Sequence, residues 1–129
     1  MRDVWQYHEV QSEIRTRFLA ELRRELEALL IYGPFEASHQ VERSPIVNLL
    51  LVSWYPNAIR GRAVRIAREI DERYEMDTKL YAATPDYLLD TDWADDAPAI
   101  VLLQKGVILH GEPAVLDYRA ELRHARQPS

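Results

Sequence analysis

Apolar residues recur every three or four positions from Ile14 through Phe18, Leu22, Leu26 and Leu29. At about 100° per residue they form one arc of a helix. Arg17, Glu21 and Arg24 fall on its other side. Ser12 stands as an N-cap with Glu13 in the first turn, so the pattern predicts a helix over 12–28 behind an N-terminal arm of residues 1–11. The short apolar run Leu29-Leu30-Ile31-Tyr32 is stopped by Gly33-Pro34 and reads as a strand entering a turn. After a polar stretch, residues 46–53 are almost wholly apolar, the signature of a central strand covered on both faces. Pro56-Asn57 opens a second helix over 58–74, with Ile59, Ala63, Ile66, Ala67, Ile70 and Tyr74 on one side. Residues 76–82 alternate as a third strand. Thr84-Pro85 starts a short helix, 98–105 form an apolar helix closed by Gly106, and 107–109 form a last strand. Residues 113–126 form a terminal helix within a 113–129 segment that ends loosely.

Alternating helices and strands make this an α/β (α+β) chain, with a mixed sheet of about four strands packed by helices. At 129 residues it forms one domain, 1–129, long enough to bury a core without staples. Cysteine is absent, which removes disulfides, thiolate metal sites and a cysteine nucleophile and suits a cytoplasmic location. No apolar run approaches the roughly 20 residues that span a bilayer, so no membrane association is expected. The net charge of −5 argues against a broad nucleic-acid surface.

Several groupings carry little chemistry. Asp90, Asp92, Asp95 and Asp96 cluster around Trp93 but lack the spacing and glycine of a calcium loop. His8, His39, His110 and His124 are isolated, with no i, i+4 pair for a metal. Ser38 and Ser44 lack the glycines of a nucleophile elbow. Arg60, Arg62, Arg65, Arg68 and Arg73 lie on the second helix; the expectation is a solvated face tied to Glu69, Asp71 and Glu72, with a polyanion-binding face as its rival.

One segment is more informative. Tyr32-Gly33-Pro34-Phe35-Glu36-Ala37-Ser38 is followed by Ser44-Pro45-Ile46-Val47-Asn48 and an apolar strand. Asp77 follows the intervening helix, and Leu103 to Gly111 run as an apolar helix into Gly-Val-Ile-Leu-His-Gly. In order and spacing this resembles the minimal nucleotidyltransferases of the polymerase-β-like superfamily, over roughly residues 14–111. That family carries Phe-Gly-Ser-x-Ala-x-Gly after its first strand, then Ser-Asp-x-Asp, then a third acid on a later strand.

The resemblance implies a nucleotidyltransferase-like fold. It assigns the phosphate-binding turn to Gly33 and Pro34, the two strand metal positions to Pro45 and Val47, and the third acid to Asp77. A one-residue slip assigns the metal positions to Ile46 and Asn48 instead. Neither register supplies a carboxylate. Nucleotidyl transfer needs two Mg²⁺ ions held by hard oxygens, and Val47 has no lone pair. Pro34 has no N–H to offer a phosphate. The reading is therefore a family member that has lost catalysis, with no cofactor expected, and that acts as a binding or regulatory module. The family's habit of pairing with a helical protein in bacterial toxin–antitoxin-type systems implies an antitoxin-like role, with a helical partner or self-association, and leaves room for weak nucleotide binding. The alternative is a metal-dependent transferase whose Mg²⁺ ligands have moved to Glu36, Glu42 and Asp77.

Overall fold

The structure, a computed structural model, describes residues 4–35, 45–90 and 97–125. Its elements in chain order are α1 (Val4–Leu22), β1 (Ala28–Phe35), β2 (Ile46–Val52), α2 (Pro56–Tyr74), β3 (Asp77–Ala83), α3 (Pro85–Leu88), α4 (Pro98–Lys105), β4 (Val107–His110) and α5 (Glu112–Ala125). The strands form one mixed sheet in the order β3-β2-β1-β4. β1 is antiparallel to both β2 and β4, whereas β2 and β3, joined through α2, are parallel. This is the α+β architecture that the alternating pattern predicts. Among the described residues no helix is long and apolar enough to cross a membrane.

Period-two alternation sends each strand's side chains to opposite faces. Leu29, Ile31, Val47, Leu49 and Leu51 pack with Phe18, Leu22, Ile59, Ile66 and Ile70 under α1 and α2. Leu30, Leu50, Val52 and Ala83 pack on the other face with Ile100, Leu103, Val115 and Leu122 of α4 and α5. β2 is thus sandwiched, and its apolar run follows from that double burial.

α1 differs from its predicted bounds at both ends. It begins at Val4, so residues 4–11 are its first turns and not an arm, and Ser12 is an exposed mid-helix position rather than a cap. Val10, buried four residues before Ile14, carries the apolar arc backwards. The helix stops at Leu22 although Leu26 and Leu29 keep its spacing. Glu27 donates its N–H to the Val52 carbonyl at 2.7 Å, and Ala28 pairs with Val52. Sheet pairing thus takes the backbone groups that further helix would need, and Leu26 reaches the same core from a turn. The other elements fall within a few residues of expectation: Thr84 caps α3 by accepting from the Tyr87 N–H at 3.2 Å, and Gly106 closes α4.

α1 and α2 run antiparallel, and their seam is lined with charge. Glu13 meets Arg73 at 2.9 Å, Arg17 meets Glu69, Glu21 meets Arg65 at 2.5 Å, and Glu25 meets Arg62 at 3.1 Å. The Arg17 hydrogen bond, outweighing desolvation, holds the Glu69 carboxyl below its ordinary range, with Arg65 adding to the effect. This corrects the expectation that the α2 arginines are tied to acids on their own helix. Only Arg65–Glu69, at 3.6 Å, is such a pair among the described residues. Asp71 instead accepts from the Thr78 N–H at 3.1 Å and the Thr78 hydroxyl at 2.5 Å, clamping the end of α2 to the start of β3. Burial raises the Asp71 pKa, and the Thr78 bonds oppose that rise.

Arginines from α1 and α5 hold backbone carbonyls of β4 and of the end of α4. Arg15 Nε donates to the Leu109 carbonyl at 3.0 Å, and Arg119 donates to the carbonyls of Leu103 and Gly106, both at 2.7 Å. Gly111 then turns the chain into α5 with φ +80°, where a Cβ would lie 2.1 Å from the Glu27 carbonyl oxygen and 2.9 Å from Ala28 Cα. Backbone atoms cannot swing aside, so Gly111→Ala is expected to lower stability by about 3 kcal/mol or more in denaturant titration. Gly61, on exposed α2 with nothing within 4 Å of a built Cβ, predicts the reverse. Gly61→Ala should stabilise by about 0.5–1 kcal/mol.

Candidate functional site

Gly33, Val47 and Asp77, distant in sequence, meet at one end of the sheet. Tyr32 pairs with Asn48, which pairs with Lys79; Phe35 pairs with Ile46, which pairs with Asp77. Between these rungs β1 has two residues, Gly33 and Pro34, where β2 has only Val47. That is a one-residue β-bulge. Gly33 has φ +112°, a conformation that glycine enters without steric cost, and Pro34 has no N–H to give the ladder. Gly33-Pro34 is therefore a bulge inside β1, which continues to Phe35, rather than the turn that ends the strand.

Alternation decides which side chains share this end. Val47 is 2% exposed and belongs to the α1/α2 core with Leu49 and Leu51. Asp77, Lys79 and Tyr81 alternate with Thr78, Leu80 and Ala82, and Tyr81 packs toward the α4/α5 face. Ile46 and Asn48 are in register with Asp77 and Lys79 and belong to that same face. The assignment of Pro45 and Val47 as metal positions thus separates Val47 from Asp77 by the thickness of the sheet. The slipped register, Ile46 and Asn48, shares a face with Asp77. Pro45 precedes β2 and accepts the Asp77 N–H through its carbonyl at 2.9 Å, which fixes the height of Asp77 against β2.

The shared face carries Tyr32, Ile46, Asn48, Asp77, Lys79 and Tyr81. Asp77 and Lys79 are exposed, and Asn48 is half-buried with its amide 3.5 Å from the Tyr32 carbonyl. Lys79 is the residue that motif reasoning passed over. The alternation of Asp77, Lys79 and Tyr81 along β3 is the signal that places it beside the acid.

A pair of Mg²⁺ ions needs several anionic oxygens at near-octahedral geometry. This face offers one carboxylate, one neutral amide and one ammonium, and that set does not fit the ions. Among the described residues no group of three His, Asp or Glu side chains converges as a metal cage. Glu36 and Glu42 lie outside the described residues, as do Ser38, Ser44, His39, Asp92, Asp95 and Asp96. Of the histidines singled out, His110 on β4 is half-buried, and His8 and His124 are exposed.

Comparison with known proteins finds no family model, no curated protein and no solved structure that matches this chain.

The two faces at adjacent β2 positions give a direct test. Val47→Asp buries an unpaired charge among Leu49, Leu51 and the α1/α2 side chains and should cost about 4 kcal/mol or prevent folding. Asn48→Asp, half-exposed and level with Lys79, should cost less than about 1.5 kcal/mol in the same denaturant titration.

Proposed function

We propose that this chain is a nucleotidyltransferase-like protein that binds without transferring and works as a regulatory module beside another protein, in the manner of an antitoxin. The proposal draws its family and partner from the sequence resemblance. The strand order supports it, because the glycine of the first motif, the apolar strand of the second and the later acid meet at one end of one sheet. A helical partner or a second copy of the chain is the kind of protein the resemblance implies.

The observation that carries the loss of catalysis is the neighbourhood of Asp77. Its register partner is Ile46, and the next rung on the same face pairs Asn48 with Lys79. An ammonium there attracts an anionic ligand directly and repels a divalent cation. Proline within the Gly33-Pro34 bulge removes one backbone donor from the position where the family cradles a triphosphate. What remains suits weak contact with a phosphate through Lys79 and with a ring through Tyr32 or Tyr81.

Calorimetric titration with ATP, in magnesium and again in excess chelator, tests this. The expected result is no binding, or weak binding of equal affinity in both buffers, without pyrophosphate release. Magnesium-dependent binding accompanied by pyrophosphate release overturns the proposal in favour of a working transferase with ligands drawn from Glu36, Glu42 and Asp77.

A further inference from the structure

At the opposite end of the sheet from Gly33 and Asp77, α1 ends beside an open groove of about 560 Å³. Arg15, Arg23 and Arg24 line it around the small side chains of Thr16 and Ala20. Arg23 and Arg24 are exposed, and neither forms an ion pair within the described residues. Arg15 is held in place by its Nε bond to the Leu109 carbonyl. That bond uses one of the five guanidinium donors, and the others face no carboxylate partner among the described residues.

The groove also contains two acids, Glu21 and Glu25. Both carboxylates are already engaged by α2, through Arg65 at 2.5 Å and Arg62 at 3.1 Å. The seam between the helices therefore neutralises the anions that would otherwise balance the three arginines. The carboxyl end of α1 contributes only about half a negative charge. Three cations against that half charge and the exposed carboxylate of Glu27, which acts on the same His110, still leave a positive surplus, in a chain whose net charge is −5. The repulsion reaches His110. Burial is the first cause that lowers its pKa, its bond to the Leu26 carbonyl opposes this, Arg23 and Arg15 lower it further, and Glu27 raises it.

We propose that this groove binds a small molecule bearing at least two adjacent phosphate groups, held by Arg15, Arg23 and Arg24. Guanidinium is suited to this because its planar fork matches oxyanion geometry with paired hydrogen bonds. Every lining residue comes from α1 or the turn after it, so the groove is open to solvent and suits a compact, highly charged anion rather than an enclosed ligand. The site is independent of the Gly33 end, which lies across the full length of β1, so failure of one reading leaves the other standing.

Pyrophosphate is the probe. Calorimetry at about 20 mM salt should show saturable binding that weakens as salt rises. The double variant Arg23→Gln/Arg24→Gln should weaken it at least about tenfold, whereas Arg60→Gln/Arg68→Gln, which removes the same charge from exposed α2 outside the groove, should change it less than about twofold. Inorganic monophosphate should bind at least about fivefold more weakly than pyrophosphate. In proton NMR, saturating pyrophosphate should raise the His110 pKa by relieving the field of Arg15 and Arg23, and it should not do so in the groove variant. Absence of pyrophosphate binding, equal loss in the two double variants, equal affinity for monophosphate, or an unmoved His110 titration overturns the proposal. Tighter, steeply salt-dependent binding of a single-stranded RNA oligonucleotide through the same arginines overturns it in favour of a nucleic-acid surface.

Discussion

Burial of β2 on both faces is the constraint from which the rest of the structure follows. A strand with Leu49 and Leu51 on one side and Leu50 and Val52 on the other must be roofed twice. α1 and α2 supply one roof, and α4 and α5 the other. β1 and β3 then flank β2 in fixed register, because a slip of one residue would exchange side chains between the two cores and undo the packing of both. The same register sets Asp77 level with Ile46 and Lys79 level with Asn48. The composition of the candidate site is thus a by-product of how the central strand is packed.

Charge is organised as tightly as hydrophobicity. Each exposed rung between α1 and α2 contributes at most about 1 kcal/mol, and burial of the apolar stripe beneath the rungs outweighs them. Their larger effect is on where charge remains available. Arg62, Arg65 and Arg73 are occupied by glutamates of α1 and the turn beyond it. The Arg-rich helix is therefore poorly placed to present a continuous polyanion surface: Arg60 and Arg68 stay exposed on it, while Arg23 and Arg24 stand without ion pairs, among the described residues, at the end of α1.

Much of the fold was legible in the amino-acid order, and the reasons are particular. The apolar run 46–53 marked the central strand because only double burial tolerates such a run. Thr84-Pro85 and Pro98 marked helix starts because proline is pre-organised for the first turn. The end of α1 was not legible: Leu26 and Leu29 keep helical spacing, and only pairing of Glu27 and Ala28 with Val52 ends the helix. The rungs between α1 and α2 escaped notice because each arginine also has acids on its own helix, and the cross-helix partner depends on tertiary packing. At the candidate site, the residues could be named from motif order, but their faces could not. Val47 and Asp77 look like neighbours by motif, and alternation from the buried leucines puts them on opposite sides. Lys79 carries no motif at all.

The two-for-one step at Gly33 and Pro34 also insulates the core from its own connecting segment. The ladder is already out of phase there, so a residue gained or lost just beyond Tyr32 alters the bulge and leaves Leu29 opposite Leu51 and Ile31 opposite Leu49. A one-residue change at the bulge is thereby decoupled from hydrophobic registration, and the sandwich around β2 stays the same.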